Sequence, residues 1–157
     1  ILVLLMGRPR RVTPFMRHDG AFGDGLADNT LAVLEYDRAV AVIESSALKV
    51  EAFPRRHFEV CGSMGSVVLQ PLEPPALRLC LRESRGGHPA GWGTVPVLSI
   101  PRYTRDLEEL ARCIRGEQEF PYTQIHDLTV QETLLRACGT EIPRGFSPSV
   151  PARGEAA

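Results

Sequence analysis

The spacing of apolar positions changes once along the chain. Between residue 11 and about residue 100, apolar residues come in short runs or alternate with polar ones, a pattern typical of β-strands. After Tyr103 they recur three or four positions apart, as in Leu107, Leu110 and Ile114, which is typical of amphipathic helices. The pattern therefore predicts a region of strands followed by a region of helices.

The strand region contains one strong hairpin signal. Residues 30–36 and 39–46 are two β-rich runs, and only Asp37-Arg38 separates them. Two such runs with a two-residue polar break predict a tight antiparallel hairpin. Five further segments predict strands, the last of them either a strand or an extended arm: 11–16, 57–61, 67–70, 77–82 and 94–100.

Two helices are predicted near the C-terminus. The first covers residues 103–115, with Thr104 as its N-cap and Gly116 at its end. The second covers residues 127–137 and has Gly139 at its C-cap. No alternation of strand and helix precedes them, so the sequence does not favour a parallel sheet.

The beginning of the chain has the pattern of a helix end. Residues 1–6 are all apolar, and Gly7 and Pro9 follow them. A glycine cap with a proline just beyond it predicts the end of a buried helix. Because this helix has no start of its own, we expect the chain to be the C-terminal piece of a longer protein.

The predicted fold class is α+β. We expect one domain, residues 1–142, with a largely antiparallel, open-faced sheet of about six strands and helices on one side. A sheet face that no helix covers must be solvated or find a partner. Residues 143–157 are rich in Pro, Gly and Ser, and we expect them to form a disordered tail.

Composition narrows the classes of partner. The chain has 157 residues, with 18 Lys and Arg against 19 Asp and Glu, for a net charge of −1. This balance gives no electrostatic reason to expect nucleic acid or an anionic membrane as a partner. The apolar runs are far shorter than the ~18 residues of a membrane span, and residues 1–6 lack signal-peptide features. We therefore expect a cytoplasmic protein.

The cysteines do not indicate a metal site. Cys61, Cys80, Cys113 and Cys138 are too far apart in sequence for a CxxC pair, so a zinc knuckle is not predicted. Each has apolar neighbours, and we expect buried free thiols in a reducing compartment in preference to disulfides. No Ser/His/Asp set or carboxylate pair has a recognisable spacing either, so the sequence predicts no catalytic residue and no metal ligand in this chain.

Three segments contain histidine or glycine residues that could take part in binding or catalysis. Residues 62–66 have G-x-x-G spacing and precede a strand instead of a helix, so they predict a structural turn and not a phosphate loop. His126-Asp127 opens the last predicted helix, where a capping role is sufficient. His18-Asp19 lies in the Gly- and Asp-rich segment 18–28, which we expect to be a mobile loop of the kind that often contacts substrate. His18 and Asp19 are therefore the candidate substrate contacts.

Three stretches, taken in their order and spacing, carry a family resemblance. Residues 5–12 give a helix end followed by G-x-P-x-x-V, and residues 58–66 read F-E-V-C-G-S-M-G-S. Residues 103–139 contain the two closing helices. Together they resemble the C-terminal domain of Gfo/Idh/MocA-type oxidoreductases over about residues 1–142.

The resemblance implies a parent enzyme with an N-terminal Rossmann domain that holds NAD or NADP. Such enzymes move hydride between nicotinamide and a carbinol carbon of sugars, inositols and related compounds. The family's cofactor-binding and catalytic residues would all precede Ile1, so none is carried over, and this chain alone should bind no nicotinamide. The matching residues are structural: Gly7, Pro9, Gly62 and Gly65.

Two hypotheses follow from the sequence. In the first, the chain is the substrate-side and oligomerisation domain of a sugar-type dehydrogenase, lacks its Rossmann domain, and forms homo-oligomers through the open sheet face. In the second, it is a stand-alone, non-catalytic binding or assembly module of the same fold. The apparent helix end at residue 1 favours the first.

Overall fold

The computed structural model describes residues 1–20 and 23–142, so the predicted disordered tail lies outside the described residues. It contains seven strands and four helices in these ranges. In chain order they are α1 (Leu2–Met6), β1 (Arg11–Arg17), β2 (Asn29–Glu35), β3 (Val40–Ser46), α2 (Ala52–Arg55), β4 (Phe58–Gly62), β5 (Gly65–Leu69), β6 (Leu77–Leu81), β7 (Gly91–Val95), α3 (Thr104–Ile114) and α4 (Gln124–Ala137).

The strands form two antiparallel sheets, and the expectation of one sheet with about six strands was wrong. The first sheet has the order β1-β2-β3 and the second the order β4-β5-β6-β7. Between them the chain leaves the extended conformation, because Glu51 adopts a left-handed φ of 49° and the short α2 follows. The α+β class and the antiparallel pairing are confirmed.

The chain divides into two compact units. Unit 1 contains Ile1–Leu48 together with the chain from Glu119 onward, and unit 2 contains Lys49–Gln118. The first sheet, α1 and α4 belong to unit 1, whereas the second sheet, α2 and α3 belong to unit 2.

In unit 1 the predicted hairpin is confirmed. Strands β2 and β3 pair antiparallel with Glu35 opposite Val40, and the Tyr36 amide donates to the Ala39 carbonyl at 2.9 Å. This bond closes the turn around the two-residue break that the sequence indicated. Strand β1 pairs with the other edge of β2, so β2 is the central strand.

Helix α4 covers one face of this sheet. Ala32 and Leu34 are buried, and Gly139, just after α4, lies against the side chains of Pro14 and Met16. Because side chains alternate between faces, the neighbouring positions point to the opposite face. That face includes Val42, whose exposed fraction is 58%. The first sheet therefore has one covered face and one open face.

A buried carboxylate joins the segment after α1 to α4. Glu132 of α4 has a side chain only 3% exposed, and its Oε1 accepts a hydrogen bond from Arg8 Nη2 at 2.6 Å and forms an ion pair with Arg136 Nη2 at 2.7 Å. Gly7 closes α1 with φ 76° and ψ −157°, a conformation that essentially only glycine adopts. The expectation of a buried helix end was wrong for most of α1, since Val3 is its one buried residue.

In unit 2, β4 and β5 form a hairpin in which Gly62 pairs with Gly65. Its turn is Ser63-Met64, which confirms the turn predicted between two strands. Helix α3 also matches its predicted range. Its N-cap, however, is Tyr103 in a left-handed conformation with no side-chain bond, so the assignment of Thr104 was wrong.

The apolar positions of α3 are uncovered. Leu107, Leu110 and Ile114 are 64%, 45% and 77% exposed, and the helix has no buried residue. The sequence period correctly identified an amphipathic helix. It did not identify what covers the apolar side.

Helix α4 begins three residues before the predicted start. Thr123 is the N-cap, and its hydroxyl accepts from the His126 amide at 3.1 Å. Asp127 lies in the first turn, where its charge favours the positive end of the helix. Across the described ranges, no helix has the length and apolar content needed to cross a membrane.

Candidate functional site

The loop between β1 and β2 has a firmly bonded base, although its sequence is rich in glycine. The Asp28 amide donates to the Arg17 carbonyl at 3.0 Å, and the Asp19 amide donates to Asp28 Oδ1 at 2.9 Å. The Asp28 carbonyl in turn accepts from the Ala47 amide at 2.8 Å. Asp28 is buried, and through these three hydrogen bonds it connects the end of β1, the start of β2 and the chain after β3.

Asp19 is held by two neighbours at this base. Arg17 donates to Asp19 Oδ1 from Nη2 at 2.7 Å and from Nε at 3.1 Å, and Asn29 Nδ2 donates to Oδ2 at 3.1 Å. The hydrogen bonds from Arg17, followed by that from Asn29, lower the pKa of Asp19. Asp19 is therefore ionised at neutral pH and has no proton to donate in general acid catalysis.

His18 lies beside Asp19 and contacts the far side of the loop. Its Nδ1 is 2.6 Å from the carbonyl oxygen of Leu26. A carbonyl only accepts hydrogen bonds, so Nδ1 carries the hydrogen in this contact. His18 is exposed, and no contact engages its Nε2 among the described residues. The loop thus presents one imidazole nitrogen to solvent.

The structural glycines lie apart from this loop in the chain. Gly7 ends α1, and buried Pro9 follows it, in unit 1. Gly62 and Gly65 flank the β4–β5 turn in unit 2. A Cβ on Gly65 would lie 2.3 Å from the Cys80 carbonyl oxygen, whereas one on Gly62 would make only an ordinary contact at 3.5 Å. Gly65 is therefore required by the close approach of β6.

The 62–66 segment does not fit a dinucleotide. A pyrophosphate is held by the aligned amides and dipole at a helix N-terminus. Here a hairpin turn leads directly into β5. This segment therefore offers no helix N-terminus to a dinucleotide.

The structure also bears on the thiols and on metal binding. All four cysteines are free, but Cys61 and Cys138 are exposed and the other two are half-buried, so the expectation of burial was wrong. In the described part of the chain, no three His, Cys, Asp or Glu side chains converge as a metal ion would require.

Sequence reasoning missed a charged cluster in unit 2. Arg102 forms a bidentate ion pair with Glu73, and Arg56 Nη1 lies 3.7 Å from the same carboxylate. The cluster borders a groove of about 600 Å³ lined by residues 72–75 and 98–102. Arg102 lowers the pKa of Glu73, so this carboxylate is a poor base. The 29-residue separation of Glu73 and Arg102 explains why no local pattern indicated the pair.

Comparisons with known proteins identify the fold of the chain but do not assign it to a family. No protein-family model matches the chain, and no curated protein matches its sequence. Solved structures do match. "Putative oxidoreductase yvaA" from Bacillus subtilis has a TM-score of 0.64 at 17% identity, over 88% of this chain and 46% of its own.

Two further structures give the same result. "Probable oxidoreductase yhhX" has a TM-score of 0.65 at 21% identity, over 90% of this chain and 45% of its own. A "putative oxidoreductase" from Klebsiella pneumoniae has a TM-score of 0.61 at 15% identity, over 92% of this chain and 48% of its own. The chain thus has the fold of part of these oxidoreductases, and it spans slightly less than half the length of each.

Proposed function

We propose that this chain is the substrate-side and oligomerisation domain of an NAD(P)-dependent oxidoreductase of the Gfo/Idh/MocA type. The parent enzyme would move hydride between nicotinamide and a hydroxyl-bearing carbon of a sugar- or inositol-like compound. One observation carries the proposal. The fold likeness covers 88% to 92% of this chain but only 45% to 48% of proteins described as oxidoreductases. That proportion is expected of one domain in a two-domain enzyme.

The chemistry would be divided between two domains. The nucleotide would be bound by a Rossmann domain outside this sequence, and the cofactor would supply the hydride transfer. This chain would supply one wall of the substrate cleft, with the loop that carries His18 and Asp19 closest to the substrate. It would contribute no catalytic residue of its own.

The uncovered side of α3 supports a partner domain. Leu107, Leu110 and Ile114 form an apolar stripe that nothing in the described chain buries. Removing such surface from water contributes about 25 cal/mol per Å². A helix of this kind is stabilised when a second domain packs against it.

A titration with NADH tests the proposal that the other domain, and not this chain, binds the cofactor. Fluorescence titration of residues 1–157 with NADH should show no saturable binding at micromolar concentrations. The intact parent should bind NADH in that range and should reduce NAD or NADP when a polyol substrate is present. Micromolar affinity of the isolated chain for NADH would contradict the proposed division. A parent without nicotinamide-dependent turnover would overturn the proposed function.

The open face of the first sheet is the proposed homo-oligomer contact. Val42 lies on this face in the edge strand β3 and is 58% exposed. In a symmetric contact the same patch meets itself, so Val42→Arg would bury two unpaired charges and should shift the oligomer to monomer. Sedimentation velocity checks this. The control is Val50→Arg. Val50 is also exposed but belongs to unit 2, and its replacement should leave the oligomer intact. A monomeric wild-type protein would overturn the proposed contact.

A further inference from the structure

We propose that His18 accepts a hydrogen bond from a substrate hydroxyl through Nε2, and that Asp19 is a positioning residue that does not touch substrate. This inference rests on the proposed function and goes beyond it. It assigns different roles to two adjacent side chains and names the substrate group that His18 contacts.

The Leu26 contact fixes the tautomer of the ring. Nδ1 lies 2.6 Å from the Leu26 carbonyl oxygen, so Nδ1 is the donor. A neutral imidazole has one ring hydrogen, and the other nitrogen then has an available lone pair. Nε2 of His18 is therefore an acceptor that faces solvent.

The base of the loop holds this acceptor in place. His18 directly follows β1, and Asp28 bonds to the residues on both sides of it through the Arg17 carbonyl and the Asp19 amide. Each oxygen of the Asp19 carboxylate already accepts a hydrogen bond, one from Arg17 and the other from Asn29. These bonds make Asp19 part of the support for His18.

The chemistry of this acceptor selects the substrate group that it can bind. A hydroxyl group has a hydrogen to donate to Nε2, whereas an ionised carboxylate or phosphate has none at neutral pH. Arg17, the residue before His18, is paired with Asp19 and gives an anion little attraction. The loop should therefore engage a hydroxyl group of the substrate and not an ionised carboxylate or phosphate group.

A tautomer measurement tests the inference without reference to the enzyme. In ¹⁵N-labelled protein at about pH 8.5, where imidazole rings are generally neutral, long-range ¹H–¹⁵N spectra distinguish the two ring nitrogens. We expect the hydrogen of His18 on Nδ1 and an unprotonated Nε2. A hydrogen on Nε2 would overturn the inference, whatever the parent enzyme does.

Two substitutions in the intact parent then separate the roles of the ring nitrogens. His18→Asn keeps an amide nitrogen near the position of Nδ1 and removes Nε2, whereas His18→Gln places a polar group near Nε2. We expect His18→Asn to raise KM for a neutral probe, myo-inositol or the best sugar found, by about tenfold with little change in kcat. His18→Gln should recover most of the loss.

The control is His88→Asn. His88 lies in the 84–89 loop of unit 2, and its replacement should leave KM unchanged. An active parent whose KM is the same with and without His18→Asn would overturn the inference and leave the proposed function standing. Absence of nicotinamide-dependent turnover in the wild-type parent would instead overturn the proposed function on which the inference rests.

Discussion

Replacing both arginines around Glu132 should lower the free energy of unfolding by about 3–5 kcal/mol, the range measured when a buried charge loses its partners. The double variant is Arg8→Met with Arg136→Met. Both guanidinium groups form ion pairs with Oε1 of a carboxylate whose side chain is 3% exposed. Its other oxygen, Oε2, has no hydrogen-bond partner among the described residues. Urea unfolding followed by circular dichroism measures the loss.

The single variants provide the control for this prediction. Each single variant leaves one arginine paired with Oε1. Each should therefore lower the free energy of unfolding by much less than half of the loss in the double variant. Adding Glu132→Leu to the double variant should recover most of the stability, because an apolar set of similar volume carries no desolvation cost. The proposed dependence of Glu132 on the two arginines would be contradicted if the double variant lost no more free energy of unfolding than the sum of the losses in the two single variants.

Gly65→Ala should destabilise unit 2 by about 2–3 kcal/mol, as is typical of overpacking in a tightly packed region. The new Cβ would lie 2.3 Å from the backbone carbonyl oxygen of Cys80, which cannot move aside as a flexible side chain can. Strands β5 and β6 must therefore separate or slip. Chemical unfolding checks the stability, and amide exchange at β6 checks the location of the damage.

The matched control lies in the same sheet. A Cβ on Gly93 of β7 meets nothing within 4 Å, and its φ lies outside the left-handed region. Gly93→Ala should be neutral or slightly stabilising, since alanine has less conformational freedom to lose on folding. Equal losses for the two variants would show that the Cys80 contact is not the cause.

Local patterns predicted most of the elements, because each is determined by residues close in sequence. The β2–β3 hairpin follows from two β-rich runs and a two-residue break, and α3 follows from its three- and four-residue spacing. The division into two sheets was not predictable in this way. Alternation indicates that a strand has two different faces, but it does not specify which strand lies next to it.

Errors at the helix ends have a similar origin. Thr123 and Asp127 are both good N-cap residues, and only the three-dimensional path of the chain selects Thr123. The period of α3 predicted an apolar side and, by default, its burial. The spacing of apolar residues does not specify whether the covering surface belongs to the same chain.

The candidate loop was predictable in place but not in detail. His18 and Asp19 were selected because they lie in a polar, glycine-rich loop. That Asn29 holds Asp19 depends on the β1–β2 register, which places Arg17 opposite Asn29. The Leu26 contact spans eight residues and depends on how the loop folds back. The positioning role of Asp19 could therefore be inferred only from the structure.

The mass of the native protein tests the central claim most directly. An antibody raised against this chain, used on a blot of source-cell extract, reports the length of the polypeptide that carries it. A band at roughly twice the 17.3 kDa of this chain, or more, is the result expected for a two-domain oxidoreductase. A single band at 17.3 kDa would mean that no nucleotide-binding domain is attached, and it would contradict the proposal in favour of a stand-alone module.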